Sequence, residues 1–197
     1  KKYKDAITKY KKGLQVKEET NEEIYLNSQI GFCYRILGNI KMALKFHLKA
    51  KELGRNDAWL NTEIGICYKE LDKYEEALEY YLLAYEEDKE EIWLLSDIGW
   101  IYNELDRYED ALQFLLKAEE LGRDDAWLNA EIGQCLGRLE KIDEGIERLK
   151  KALELLEGDK TDHNVSEKIF INSEIAWLFG RKEKSNPEEA LHYLYVA

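Results

Sequence analysis

Apolar residues in this chain recur at helical spacing, in short phrases separated by polar turns. One phrase carries Leu60, Ile64, Cys67 and Leu71 at i, i+4, i+7 and i+11, a single stripe of an amphipathic helix. The phrase after it carries Ala77, Leu78, Tyr81 and Ala84 and predicts a second helix. Both phrases return along the chain. Trp59, Trp93 and Trp127 stand 34 residues apart in DAWLNTEIGICY, EIWLLSDIGWIY and DAWLNAEIGQCL. Counting back 34 from Trp59 reaches Tyr25, and the next copy after Trp127 is delayed to Phe170, 43 residues on. The delay places an insertion of nine residues within Glu157–Val165. A fixed period of this length predicts stacked helical hairpins. Eleven helices follow: a lone one, four hairpins, and a last hairpin cut short.

Punctuation agrees. Gly54 and Gly122, in LGRND and LGRDD, suit the left-handed residue that closes a helix. Asn56/Asp57 and Asp124/Asp125 then offer acceptors to cap the next helix. Asn186-Pro187-Glu188-Glu189 reads as a cap, a first-turn proline and a capping-box glutamate. With one proline in 197 residues, little else breaks the helices.

Four columns define the repeat. Gly31, Gly65, Gly99 and Gly133 form the first, and Tyr34, Tyr68, Tyr102 and Leu136 the second. Ala43, Ala77, Ala111 and Gly145 form the third, and Ala50, Ala84, Ala118 and Ala152 the fourth. A helical glycine costs about 0.5–1 kcal/mol relative to alanine. Its recurrence predicts a close helix approach, with Gly65 facing the Ala77 column. In these columns the chain resembles the tetratricopeptide repeat family over essentially its whole length. It departs from the family in placing Asn27, Asn61, Leu95 and Asn129 where a large aromatic is usual, and in lacking the repeat-end proline.

The resemblance implies an all-α, right-handed superhelical solenoid of helix-turn-helix repeats. The chain then reads as one elongated domain, 1–197: a partial repeat 1–20, full repeats 21–56, 57–90, 91–124 and 125–165, and a partial repeat 166–197. It opens without methionine and in mid-repeat, as though excised from a longer protein. The end Ala190–Val196 lacks a polar capping helix, which predicts self-association or further residues over it.

Composition narrows the function. Charged residues make up 36% and the formal net charge is −12. That argues against nucleic acid, whose phosphates demand cations. Lys1, Lys2, Lys4, Lys9, Lys11, Lys12 and Lys17 cluster in the first helix and read as a solvated face. No apolar run is long enough to span a bilayer. Cys33, Cys67 and Cys135 share a column with Ile101, a small apolar core position. Reduced thiols there point to a reducing, cytoplasmic compartment.

Chemistry is sparse. His47 shares a column with Tyr81, Leu115 and Leu149 and reads as core. His163 and His192 lack partners at ligand spacing. No nucleophile with a base, no phosphate-cradling loop and no metal set stands out, so no enzyme, cofactor or metal is expected.

The rings are the candidate site. Tyr25, Trp59, Trp93, Trp127 and Phe170 form one column. Thr62 and Ser96 follow it at i+3, and Phe32, Trp100 and Trp177 at i+7, all on one helix face. The resemblance places first helices on the concave surface and so implies an aromatic-lined groove with small hydroxyls in its floor. Two readings stand. Packing between neighbouring first helices is favoured for the Trp59/Trp93/Trp127 column, while the Phe32/Trp100/Trp177 column stays open. Asn27, Asn61, Asn129 and Asn172 either fix register or reach a ligand, with register favoured. Acids at repeat junctions, Glu22/Glu23, Asp57, Glu90/Glu91 and Asp124/Asp125, read chiefly as caps. The function expected is a non-catalytic scaffold or adaptor that binds a peptide or protein. The alternative is the sensory module of a bacterial regulator that binds a peptide signal.

Overall fold

A computed structural model describes residues 1–15, 20–157, 162–182 and 187–196. Those residues form eleven helices, in chain order α1 (Lys2–Gln15), α2 (Thr20–Ile36), α3 (Ile40–Glu52), α4 (Ala58–Lys69), α5 (Tyr74–Glu87), α6 (Ile92–Glu104), α7 (Tyr108–Glu120), α8 (Ala126–Arg138), α9 (Ile142–Leu155), α10 (Asp162–Arg181) and α11 (Pro187–Val196). The chain divides into two compact units, residues 1–91 and 92–197.

In the first unit, α2 pairs with α3 and α4 with α5, while α1 packs on α2 and α3 on α4. In the second, α6 pairs with α7, α8 with α9 and α10 with α11, linked by α7 on α8 and α9 on α10. First helices of successive hairpins also touch: α2 on α4, α6 on α8 and α8 on α10. Residues 158–161, in the middle of the predicted insertion, and Asn186 of the predicted cap lie outside the described residues.

The small columns explain the pairing. Ala43, Ala77 and Ala111 are fully buried, as are Ala50, Ala84, Ala118 and Ala152. Leu60, Ile64 and Cys67 have no exposed surface, and neither does Tyr81. Cys33, Cys135 and Ile101 are likewise buried, so that column is core. The Tyr column closes three of the hairpins by ring contact: Tyr34 with Phe46 at 5.7 Å, Tyr68 with Tyr80 at 5.5 Å and Tyr102 with Phe114 at 5.6 Å.

The glycine column is a correction in detail. A Cβ on Gly65 would lie 2.6 Å from the Tyr81 ring, four residues beyond Ala77. At Gly31, Gly99 and Gly133 the intruding side chains are His47, Leu115 and Leu149. Each glycine therefore vacates space for a large side chain. Gly99 and Gly133 also approach the backbone of the small column, at Ala111 O and Gly145 O.

Turn chemistry follows the reading. Gly54 and Gly122 close their helices at φ of 104° and 101°. Asp57 then caps α4 by accepting from Leu60 N at 2.9 Å, and Asp125 caps α8 by accepting from Leu128 N at 2.8 Å. Such caps are worth about 1 kcal/mol.

Candidate functional site

The ring column stands at the surface of both units. Tyr25 is 53% exposed, Trp59 37%, Trp93 43% and Phe170 43%, with Trp127 half-buried. In the i+7 column Trp177 is 39% exposed, and Phe32 and Trp100 are half-buried. The hydroxyls expected between them are not there. Ser96 is buried and donates to Ile92 O at 2.8 Å, and Ser28 donates to Ile24 O at 2.9 Å. Thr62 is buried as well. A short hydroxyl at i+3 from the ring satisfies itself on its own helix, buried at Ser28 and Ser96 and exposed at Ser173, which donates to Phe170 O at 2.7 Å. Thr62 and Ser96 are therefore withdrawn from the surface the rings present.

Three of the indoles, Trp59, Trp127 and Trp177, are lidded by a cation. In the first unit, Trp59 meets Phe32 at 6.4 Å and the edge of His47 at 5.9 Å. The Arg55 guanidinium lies 4.5 Å from the Trp59 ring centroid while its Nε donates to Asp57 at 2.7 Å. The second unit repeats the device: Arg123 lies 4.5 Å from Trp127 and donates to Asp125 at 2.8 Å. Arg138 and Arg181 lie 4.0 and 4.7 Å from Trp177. A guanidinium on an indole contributes about 0.5–2 kcal/mol. The sequence signal is Arg-x-Asp-x-Trp, written twice, where a reading for helix stops sees only the glycine before it.

Polar groups tie first helix to first helix. In the first unit, Arg35 on α2 donates to both oxygens of Glu63 on α4, at 2.7 and 2.9 Å. Burial alone would raise the Glu63 carboxyl; the neighbouring His47 and the Arg35 hydrogen bonds outweigh it and hold the group below its ordinary range. His47 is itself fully buried, as expected of a core histidine, with Nε2 3.5 Å from Glu63. In the second unit, Asn103 on α6 donates to Glu131 on α8 at 2.9 Å and to Gln134 at 2.7 Å. An amide brings no charge. Burial therefore dominates, the Glu104 and Glu174 carboxylates add to it, and the Glu131 carboxyl is pushed up to about 7. On the far side of α8, Arg138 pairs with Glu174 of α10 at 3.4 Å.

The asparagine column is buried and inward. Asn61 donates to Asn56 at 3.2 Å and accepts from Lys51 of the preceding hairpin at 2.9 Å. Asn129 donates to Asp124 at 2.8 Å and accepts from Arg148 at 3.1 Å, and Arg148 also grips Glu119 of the preceding hairpin. Asn27 donates to Glu23 O at 2.8 Å. Asn61 and Asn129 thus join a turn, a helix and a neighbouring repeat, as the register reading requires.

Among the described residues no group of His, Cys, Asp and Glu could hold a metal ion, and no helix is long and apolar enough to cross a membrane. Of the remaining histidines, His192 stacks edge-on with Tyr193, and the His163 side chain lies outside the described residues.

Comparison with known proteins places this geometry. Residues 57–124 match the tetratricopeptide repeat family model. No curated protein matches the chain. Among solved structures, MamA (residues 41 to the end) from Desulfovibrio magneticus RS-1 is 19% identical with a TM-score of 0.75, over 88% of this chain and 92% of that one. YrrB, described as a TPR protein with an unusual peptide-binding site, is 22% identical with a TM-score of 0.74, over 94% of this chain and 89% of that one. Pseudomonas aeruginosa pilF is 21% identical with a TM-score of 0.63, over 91% and 78%. At these identities the likeness is one of fold, the all-α array of helix-turn-helix repeats. Over residues 57–124 the chain is similar to the tetratricopeptide repeat family, and over most of its length it shares the fold of these solved structures.

Proposed function

We propose that the chain is a non-catalytic scaffold that holds a peptide or protein segment against its ring-bearing first helices. The observation that supports this is the exposure of one aromatic column, Tyr25, Trp59, Trp93 and Phe170, each more than a third open to solvent. Rings that served packing alone would be covered, because burying an aromatic side chain is worth several kcal/mol, on the order of 3–5 for its complete loss. Half-covered rings held by neighbours are pre-organised contact surface, which binds at low entropic cost. In the first unit the contact residues are Tyr25, Phe32 and Trp59; in the second they are Trp93, Trp100, Trp127, Phe170 and Trp177. The peptide-binding site named for YrrB is a precedent on the same fold.

Short peptides selected from a random display library on the full chain test the reading. Binding should shift tryptophan emission, and Trp59→Ala or Trp93→Ala should weaken it about tenfold or more with the melting temperature held. Selected peptides indifferent to every ring substitution would sink the proposal.

A further inference from the structure

Trp93 differs from the other indoles of its column. Trp59 and Trp127 each lie under an arginine four residues earlier, Arg55 and Arg123, at 4.5 Å in both cases. At the same position before Trp93 stands Lys89, whose ammonium turns instead to the Tyr85 ring at 5.9 Å and to Glu86 at 3.4 Å. Among the described residues no cation lies over Trp93, which is 43% exposed. One indole in the second unit thus presents the face that its counterparts have covered with a guanidinium.

The rest of α6 supplies matching charge. Trp93, Asp97, Trp100 and Glu104 fall at i, i+4, i+7 and i+11, so rings and carboxylates alternate down one helix face. Glu104 is exposed, and partial burial together with the Asp106 carboxylate pushes its carboxyl up, a repulsion that a cation would relieve. The charge of the whole unit agrees. Residues 92–197 carry 13 Lys and Arg against 23 Asp and Glu, whereas residues 1–91 carry 16 against 18.

We propose that the α6 face of the second unit takes an arginine-bearing, basic segment of a partner polypeptide, with one guanidinium seated on Trp93 and Asp97 and Glu104 flanking the segment. The chain displays the recognition chemistry on itself, since Arg55 on Trp59 beside Asp57 is the same trio supplied internally. Arginine suits the place better than lysine because its planar group stacks on a ring and still donates sideways. The inference rests on the reading that the ring face binds polypeptide, and adds the chemical class of the partner.

The probes are the display-selected peptides, sorted by whether Trp93→Ala weakens their binding. The Trp93-dependent set should be enriched in arginine. Replacing that arginine by citrulline, which keeps the shape and removes the charge, should weaken binding about tenfold. Added salt should weaken the arginine peptide more than the citrulline peptide. Trp93→Ala should erase the difference between the two, Trp93→Phe should restore part of it, and Glu104→Gln should reduce it. Trp93-dependent peptides that are acidic or purely apolar would overturn the arginine assignment and leave the ring-face reading standing. Failure to select any peptide that needs a ring would remove both.

Discussion

Arg35 and Glu63 join α2 to α4 through a two-point contact, with Nε 2.7 Å from one carboxylate oxygen and a terminal nitrogen 2.9 Å from the other. Asn103 and Glu131 make the corresponding reach from α6 to α8 with a neutral donor. One rung of the repeat therefore exists in two electrostatic forms, and the two carboxyls respond in opposite directions: Glu63 is held low and Glu131 is pushed up to about 7.

Removing Arg35 should be costly. Arg35→Ala leaves the Glu63 carboxylate, 5% exposed, without its fork. Losing one partner of a buried pair costs about 3–5 kcal/mol. Arg35 keeps some solvent contact, which places the expected loss near the lower end. The double change Arg35→Leu with Glu63→Leu should cost less than Arg35→Ala, because it strands no charge. Urea unfolding of the two variants and the wild type, followed by helical circular dichroism, measures the order. A double variant less stable than Arg35→Ala would show that the two residues do not act as a pair.

Stability should depend on pH with opposite sign at the two rungs. Glu131 binds its proton more tightly folded than unfolded, so its contribution is fully present in acid and is lost as pH rises from about 4.5 through about 7. At about 1.4 kcal/mol per unit of pKa, the loss by pH 8 is on the order of 3 kcal/mol. Glu63 is lowered, so its contribution is present above the ordinary carboxylate range and is lost as pH falls through its folded value. Glu131→Gln should raise the melting temperature at pH 8 and flatten the profile between pH 5 and 8. Asn103→Arg should do the same by supplying the charge that Arg35 supplies to Glu63. A profile unchanged by either substitution would show that Glu131 is ionised and solvated in the native state.

The helix pairs are legible in the sequence because their determinants are periodic. Small residues at Ala77 and Ala84, a cysteine or isoleucine at 67 and 101, and glycine at 54 and 122 recur in phase, and each acts locally. The partner of Gly65 is less legible. Spacing shows that something must approach the glycine, but which of Ala77 and Tyr81 does so depends on the rotation of α5 about its axis. Glu63 and Glu131 are not legible at all. They look like any acid on a polar helix face, and burial is imposed by a neighbour in another repeat, Arg35 or Asn103, through contacts that no local period displays. The rings fall between these cases. Their column is plain, while the cover on Trp59 and Trp127 comes from Arg55 and Arg123, which sit in turns. Thr62 and Ser96 are misplaced because i+3 lies on the ring's side of the helix, yet at these two positions it turns far enough inward to be covered.

Two glycines should behave oppositely on conversion to alanine. At Gly65 the added Cβ would meet the Tyr81 ring at 2.6 and 2.8 Å, and Tyr81 is fully buried and cannot swing away. Overpacking of that kind costs about 1–3 kcal/mol, which outweighs the gain in helix propensity. At Gly180, exposed near the end of α10, a Cβ would meet nothing within 4 Å. Gly180→Ala should therefore stabilise, by up to about 0.5–1 kcal/mol. Thermal melts of the two single variants test the contrast. Gly65→Ala at or above the wild-type melting temperature would mean that Tyr81 has room to move.

The cysteines report opening of the core. Cys67 and Cys135 have no exposed surface, and burial, with the Glu63 and Glu131 carboxylates adding to it, pushes their thiols up to about 12. Cys33 is raised by burial as well and is 4% exposed. A thiol in that state is neither reached nor ionised, so alkylation at pH 8 proceeds only through local or global opening. Cys33 packs in the small cluster with Ile7 and Ile30, where α1 supplies much of the cover, so fraying of α1 should expose it first. Iodoacetamide labelling followed by mass spectrometry of the peptides should rank Cys33 fastest, with Cys67 and Cys135 slower and both quickened by urea. Trimming α1 should speed Cys33 without speeding Cys135. Native-state labelling of all three at the rate of a free thiol would mean that the cysteine column does not face the core, and the helix rotation built on it would have to change.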